Sequence, residues 1–203
     1  MMPDPSVTSK AQPNYVLLDG NSGSVFCVLD ILENFEDSYK FDKGWSLTGE
    51  WPRNAAFRME PSAPKQIRLS DYLCNHDSII VASKRLQEFF LAEKVPNIEL
   101  LPVTIYDHKK RVASRDYAII HLVTVQNCID TAASEVKWNN IHPDKIMFMK
   151  RLVIDESKID PSAVVFRAMR LSTQIFVKRE FSAKMASTGF TGFRFWELSD
   201  YRG

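Results

Sequence analysis

The chain has 203 residues, 45% hydrophobic, 11% aromatic and 25% charged, which fits one globular domain or two small ones and not a disordered polymer of low hydrophobicity and high net charge. Its 26 basic and 25 acidic residues leave a formal charge of +1, so there is no global positive field of the kind that holds nucleic acid. Three cysteines, Cys27, Cys74 and Cys128, are odd in number and widely spaced, which excludes a disulfide framework and a CxxC zinc site and suits free thiols in a reducing cytoplasm.

In chain order, residues 1–13 are rich in Pro, Ser and Thr, lack a secretory signal pattern and read as a flexible leader. The runs 15–18 and 25–29 flank the turn cluster Asp19-Gly20-Asn21-Ser22-Gly23, which predicts a hairpin or a strand followed by a bend. Residues 30–64 are broken by Gly44, Gly49, Pro52, Pro61 and Pro64 and read as mostly irregular, with Phe41, Trp45, Trp51, Phe57 and Met59 expected to pin them to the core. A buried strand is predicted at 78–82. Ser83 then stands in N-cap position before a helix over 84–94, whose apolar stripe is Leu86, Phe89 and Phe90 and whose end is set by Val95-Pro96.

The β-rich runs 98–106 and 117–125 enclose the polar stretch 107–111 and predict a long antiparallel pair. The longest apolar run, 118–125, is far shorter than the roughly 20 residues of a membrane-spanning helix. Further strands are expected at 146–154, 163–169, 174–177 and 192–198, and a helix at 179–187 should stop at a left-handed Gly189. Strands and helices do not alternate as βαβ units, so the predicted class is α+β, with a mainly antiparallel sheet and a few short helices. The expected organisation is the leader 1–13, an N-terminal strand and irregular-loop region 14–82, and a C-terminal α+β region 83–203, packed as one domain or two tightly joined subdomains.

Candidate chemistry is sparse. His76, His108, His121 and His142 form no HExxH motif, and Cys74-Asn75-His76 offers too few zinc ligands and no group to orient a nucleophile, so it reads as a turn before a strand. His121 interrupts an apolar run and reads as a hydrogen-bonded core residue. The seven glycines make neither GxGxxG nor GxxxxGK[ST]. Residues 189–195 lack the full aromatic series of an RNA-binding sheet, which places Phe193 and Phe195, with Phe89, Phe166 and Phe176, in the core. No catalytic, cofactor-binding or metal-binding residue is assigned, and no cofactor is expected.

Charge is nonetheless uneven. Asp30, Glu33, Glu36, Asp37 and Asp42 crowd residues 30–42 against Lys40, whereas Arg167, Arg170, Lys178, Arg179 and Lys184 face Glu180 within 164–184. An acidic patch steers and clamps a basic partner, and tryptophan is enriched at binding hot spots. The candidate binding residues are therefore Glu33, Glu36, Asp37 and Asp42, with Trp45 as an anchor.

Five pieces carry a resemblance over about residues 40–198: Trp51-Pro52 through Phe57-Arg58-Met59 with Pro64-Lys65; Ser83-Lys84-Arg85-Leu86; Leu101 through Lys109; Asn127-Cys128-Ile129-Asp130; and Val165-Phe166-Arg167 through Ile175-Phe176-Val177 to Thr191-Gly192-Phe193-Arg194-Phe195. In this order and spacing the chain resembles the bacterial polymorphic-toxin immunity proteins of family eleven. The resemblance implies a non-enzymatic protector, made beside a toxin of an interbacterial secretion system, that binds and neutralises that toxin in the cytoplasm of the producing cell. Its partner is then a protein, not nucleic acid or a membrane. Two other classes stay open: an enzyme with dispersed catalytic residues, for which Asp107, His108 and Cys128 are the first candidates, and an adaptor or regulator of a secretion-system effector that binds without inhibiting.

Overall fold

The computed structural model describes residues 12–141 and 146–202; residues 1–11 of the expected leader, and His142, lie outside the described residues. The first strand, β1 (Tyr15–Gly20), turns Val16 and Leu18 to one face and Tyr15 and Leu17 to the other, and all four are buried. It is followed by β2 (Val28–Leu29), α1 (Tyr39–Lys43), β3 (Ala56–Arg58), β4 (Tyr72–Asn75), β5 (Ile80–Ala82), α2 (Lys84–Ala92), β6 (Ile98–Tyr106) and β7 (Val112–Leu122). Then come β8 (Val125–Gln126), β9 (Val136–Trp138), β10 (Ile146–Met149), β11 (Val165–Ala168), β12 (Leu171–Lys178), α3 (Arg179–Ser187) and β13 (Phe193–Trp196).

The strands form a five-stranded sheet in the order β13-β1-β12-β11-β8, a six-stranded sheet in the order β2-β4-β5-β7-β6-β3, and the pair β9-β10. Strand dominates and helices are few, consistent with α+β, but the expectation of a mainly antiparallel sheet needs correction: both large sheets are mixed. Parallel pairs join β8 to β11, β2 to β4 and β3 to β6. The physical reason is length. These added strands are two or three residues long, too short for an alternation pattern, and each is separated from its parallel partner by a long stretch of chain instead of a tight turn. The segment after β1 is the strand-and-bend alternative, because β1 pairs with β12 and β13 and β2 joins the other sheet.

Three apolar layers result. Val16, Leu18, Ile80, Ile120, Ile175 and Val177 meet between the sheets, joined by Leu86 and Phe90 of α2 and Phe181 and Met185 of α3. On the outer face of the six-stranded sheet Val81, Leu101, Val103, Ile105 and Ile119 pack against Phe41, Leu47 and Phe57 from the irregular stretch. Behind the five-stranded sheet, Phe166 and Phe176 stack at 5.3 Å among Tyr15, Leu17, Cys128 and Met149. A sheet buried on both faces needs apolar residues at both parities, which explains the unbroken run around Ile119. Phe89, Phe193 and Phe195 are partly buried and pack against the middle layer.

Local chemistry agrees with these positions. The Ser83 hydroxyl accepts the Leu86 amide at 3.3 Å and caps α2. Arg167 of β11, 3% exposed, donates to the Ser172 carbonyl and, at 2.8 Å, to the Ser78 carbonyl of the opposite sheet, so a buried cation ties the two sheets together. Before β13, Gly192 has φ +93 and a Cβ there would stand 2.1 Å from the Tyr72 carbonyl, so only glycine fits.

Candidate functional site

The acidic stretch lies over the outer face of the six-stranded sheet, and its fixings are mostly backbone. Phe41 of α1, 3% exposed, is the wedge: its ring stands 5.6 Å from Phe35, 6.2 Å from Trp51 and 5.1 Å from His121. After α1 the chain must reverse, and Gly44 does so at φ +62, with its amide donating to carbonyls of the last turn. His121 projects from β7 to this face; burial pushes its imidazole below the usual value, and Nε2 hydrogen-bonds the Trp45 carbonyl at 2.8 Å. Two residues on, Glu99 of β6 accepts from the Ser46 hydroxyl and, at 2.8 Å, from the Leu47 amide. Burial alone would raise the Glu99 pKa, but the donors at Ser46, Leu47 and Thr48 outweigh it and hold it low.

What this pinned loop offers to solvent is an aromatic pair. Trp45 is 53% exposed and Tyr39 52%, and the two rings meet edge to face with centroids 6.2 Å apart. The acidic residues differ among themselves. Glu33 pairs with Arg58 at 2.6 Å, and Asp37 pairs with Lys40 at 2.9 Å, which also bonds Glu50. The two carboxylates hold the Lys40 ammonium well above its ordinary pKa, Glu50 contributing most. Glu36 and Asp42 are exposed and join no ion pair among the described residues. Thus the structure brings Glu36, Asp42 and Trp45 to one exposed stretch and neutralises Glu33 and Asp37 locally. Tyr39 is a member that sequence reasoning missed; its signal was an aromatic six residues before Trp45 across a helix and a glycine turn.

The expected pinning holds for Phe41, Phe57 and Met59, which are buried, and for Trp51, whose Nε1 donates to the Pro102 carbonyl at 2.9 Å. Trp45 departs from it, because its carbonyl carries the fixing while its ring stays in solvent.

The residues singled out for an enzyme do not converge. Asp107 organises the β6–β7 turn by accepting the Lys109 and Arg111 amides, His108 bonds the Glu60 carbonyl at 3.0 Å, and Cys128 is fully buried behind the other sheet. Burial pushes the Cys128 thiol up to about 11, which leaves it protonated. A cleft of about 850 Å³ lies between residues 12–14, 151–156 and 197–199, on the far side of the five-stranded sheet. Its carboxylates are engaged, Glu156 by Asn14 and Glu197 by Arg179. Among the described residues no helix is long and apolar enough to cross a membrane.

Residues 12–200 match the family model described as Immunity protein family (Imm11). No curated protein matches the chain.

Proposed function

From the premise that the chain belongs to the Imm11 immunity protein family, we propose that it binds one cognate antibacterial toxin stoichiometrically in the cytoplasm of the producing cell and blocks it without turnover. The family match, spanning nearly the whole sequence, is the observation that carries this reading. The contact surface in this reading is the stretch from Glu36 to Trp45. Three features support it: a loop pinned at Phe41, Trp45 and Leu47 lowers the entropy lost on binding, the Tyr39–Trp45 pair is an exposed aromatic anchor, and the same stretch carries the exposed carboxylates Glu36, outside any ion pair among the described residues, and Asp42, whose charge also acts on buried Arg167. The matching toxin surface is basic, such as a groove built to hold phosphates, and the acidic loop takes the place of that substrate.

The test is co-expression with the toxin encoded by the neighbouring gene, then titration of purified toxin activity. Inhibition should saturate at one equivalent, with both chains in one complex. Rescue by catalytic amounts, or no complex at about micromolar concentration, refutes the reading.

A further inference from the structure

Leu29 of β2 faces Asn75 of β4 in parallel register and Met59 across an antiparallel bridge. The parallel register sets Asp30 beside His76, whereas across the antiparallel bridge Asp30 lies level with Arg58 and Glu60 level with Val28, so Glu60 reaches the other two diagonally; one donor atom from each of Asp30, Glu60 and His76 lies within 4.8 Å of the others. The backbones are fixed. Asp30 N donates to the Arg58 carbonyl and Glu60 N to the Val28 carbonyl, both at 2.8 Å. Each carboxylate is also oriented through one oxygen, Asp30 Oδ1 by the Ile31 amide at 2.8 Å and Glu60 Oε1 by the Ser62 amide at 3.0 Å, which leaves Oδ2 and Oε2 to the cluster. Glu60 Oε2 stands 2.9 Å from His76 Nε2.

We propose that Asp30, Glu60 and His76 bind one divalent transition-metal ion of the zinc type. Two carboxylate oxygens and an imidazole nitrogen are donors that such an ion takes at about 2.0–2.2 Å, which sets tetrahedral donors about 3.4 Å apart. Small rotations of half-buried Asp30 and Glu60 and exposed His76 close the cluster to that spacing. Magnesium and calcium prefer larger sets made only of oxygen, which this cluster does not offer. Three protein donors leave a fourth position for water on the exposed side of His76. The ion ties the end of β2, the exit of β3 and the β4–β5 turn into one knot, at the point where the chain enters the acidic stretch. The proposal makes no use of the toxin and stands or falls apart from the immunity reading.

The experiment is calorimetric titration of the full chain, stripped with chelator and dialysed, with zinc chloride and separately with magnesium and calcium chloride. Zinc should bind at one per chain with a dissociation constant of about 10 μM or tighter, and raise the thermal midpoint. Glu60→Gln, His76→Gln and Asp30→Asn should each weaken binding at least about tenfold, while Glu88→Gln, exposed on α2 and outside the donor set, keeps it. Circular dichroism identifies which variants retain the parent fold, and any one that does is decisive. Absence of zinc binding at about 100 μM, equal affinity for calcium, or unchanged zinc affinity in the folded cluster variants overturns the assignment.

Discussion

Trp45→Ala separates recognition from folding at the acidic loop. A tryptophan presents roughly 250 Å² of mostly apolar surface, and Trp45 is 53% exposed, so roughly 130 Å² remains for a partner to cover. At about 25 cal/mol per Å² this corresponds to about 3 kcal/mol, or on the order of a 200-fold weaker complex when the ring is removed. The cost to the fold is a separate quantity. The bond from His121 goes to the Trp45 carbonyl, which alanine retains, while the edge contact to Tyr39 is lost with the rest of the ring's cover. The roughly 120 Å² already covered in the fold bounds the stability loss at about 3 kcal/mol by the same coefficient. Interferometry with immobilised, catalytically inactivated toxin measures affinity, and differential scanning fluorimetry on the same preparations measures the fold. A variant that keeps its midpoint and binds within threefold of the parent refutes the anchor assignment. A variant that binds weakly only because its folded fraction has fallen at the assay temperature refutes it too, since the ring would then be holding the loop.

Glu36→Lys should slow association about threefold at low salt, with the difference shrinking toward 0.5 M salt and the midpoint nearly unchanged, as stopped-flow and scanning fluorimetry would record; equal rates at low salt place the contact elsewhere. Phe166→Ala, removing a fully buried ring stacked on Phe176, should cost about 3–5 kcal/mol in urea unfolding, and Phe195→Ala, only partly buried, distinctly less. His121, held by burial below its ordinary value of 6.5, stays neutral in the fold while the unfolded chain takes up a proton, so this group contributes stability above pH 6.5 that is lost as pH falls below it. Urea midpoints at pH 7.5 and 5.5 should therefore drop further in the parent than in His121→Gln, and equal drops refute this origin.

The elements with strong periodicity were readable: β6, α2 with its Ser83 cap and α3 before Gly189, which has φ +69, lie where their patterns placed them, and the antiparallel β6–β7 pair exists, although β7 starts at Val112 instead of 117 and ends at Leu122, with Val125 already in β8 of the other sheet. The family itself was readable from the order of five weak pieces. What escaped was short or distant. β2, β3 and β8 have no period to detect, and the two-sided burial of β1 and β7 comes from the opposite sheet on one face and from connecting segments on the other, both far away in sequence. The acidic stretch was visible as composition, yet composition does not distinguish Glu33, neutralised by Arg58 from another strand, from Glu36, which is free of ion pairs among the described residues. Asp37 and Lys40, three apart across the start of α1, were the exception in which the two partners are near neighbours in sequence. Cys74-Asn75-His76 was short of ligands as a tripeptide because its companions stand 46 and 16 residues upstream.

The position of β1 between β12 and β13 governs when the protein begins to exist during synthesis. The first strand to leave the ribosome is among the last to find its neighbours, because Leu17 and Leu18 pair with Phe176 and Ile175 on one side and with Trp196 and Phe195 on the other. At about 5–20 residues per second, β1 waits on the order of ten seconds or more with both edges open. A nascent chain released early lacks that whole sheet and exposes a buried-type apolar strand, a substrate for chaperones and proteases. Under the proposed immunity function, protection accordingly starts only after β12 and β13 have been made, so a cell that makes toxin and protector together depends on translation of the protector passing that point first.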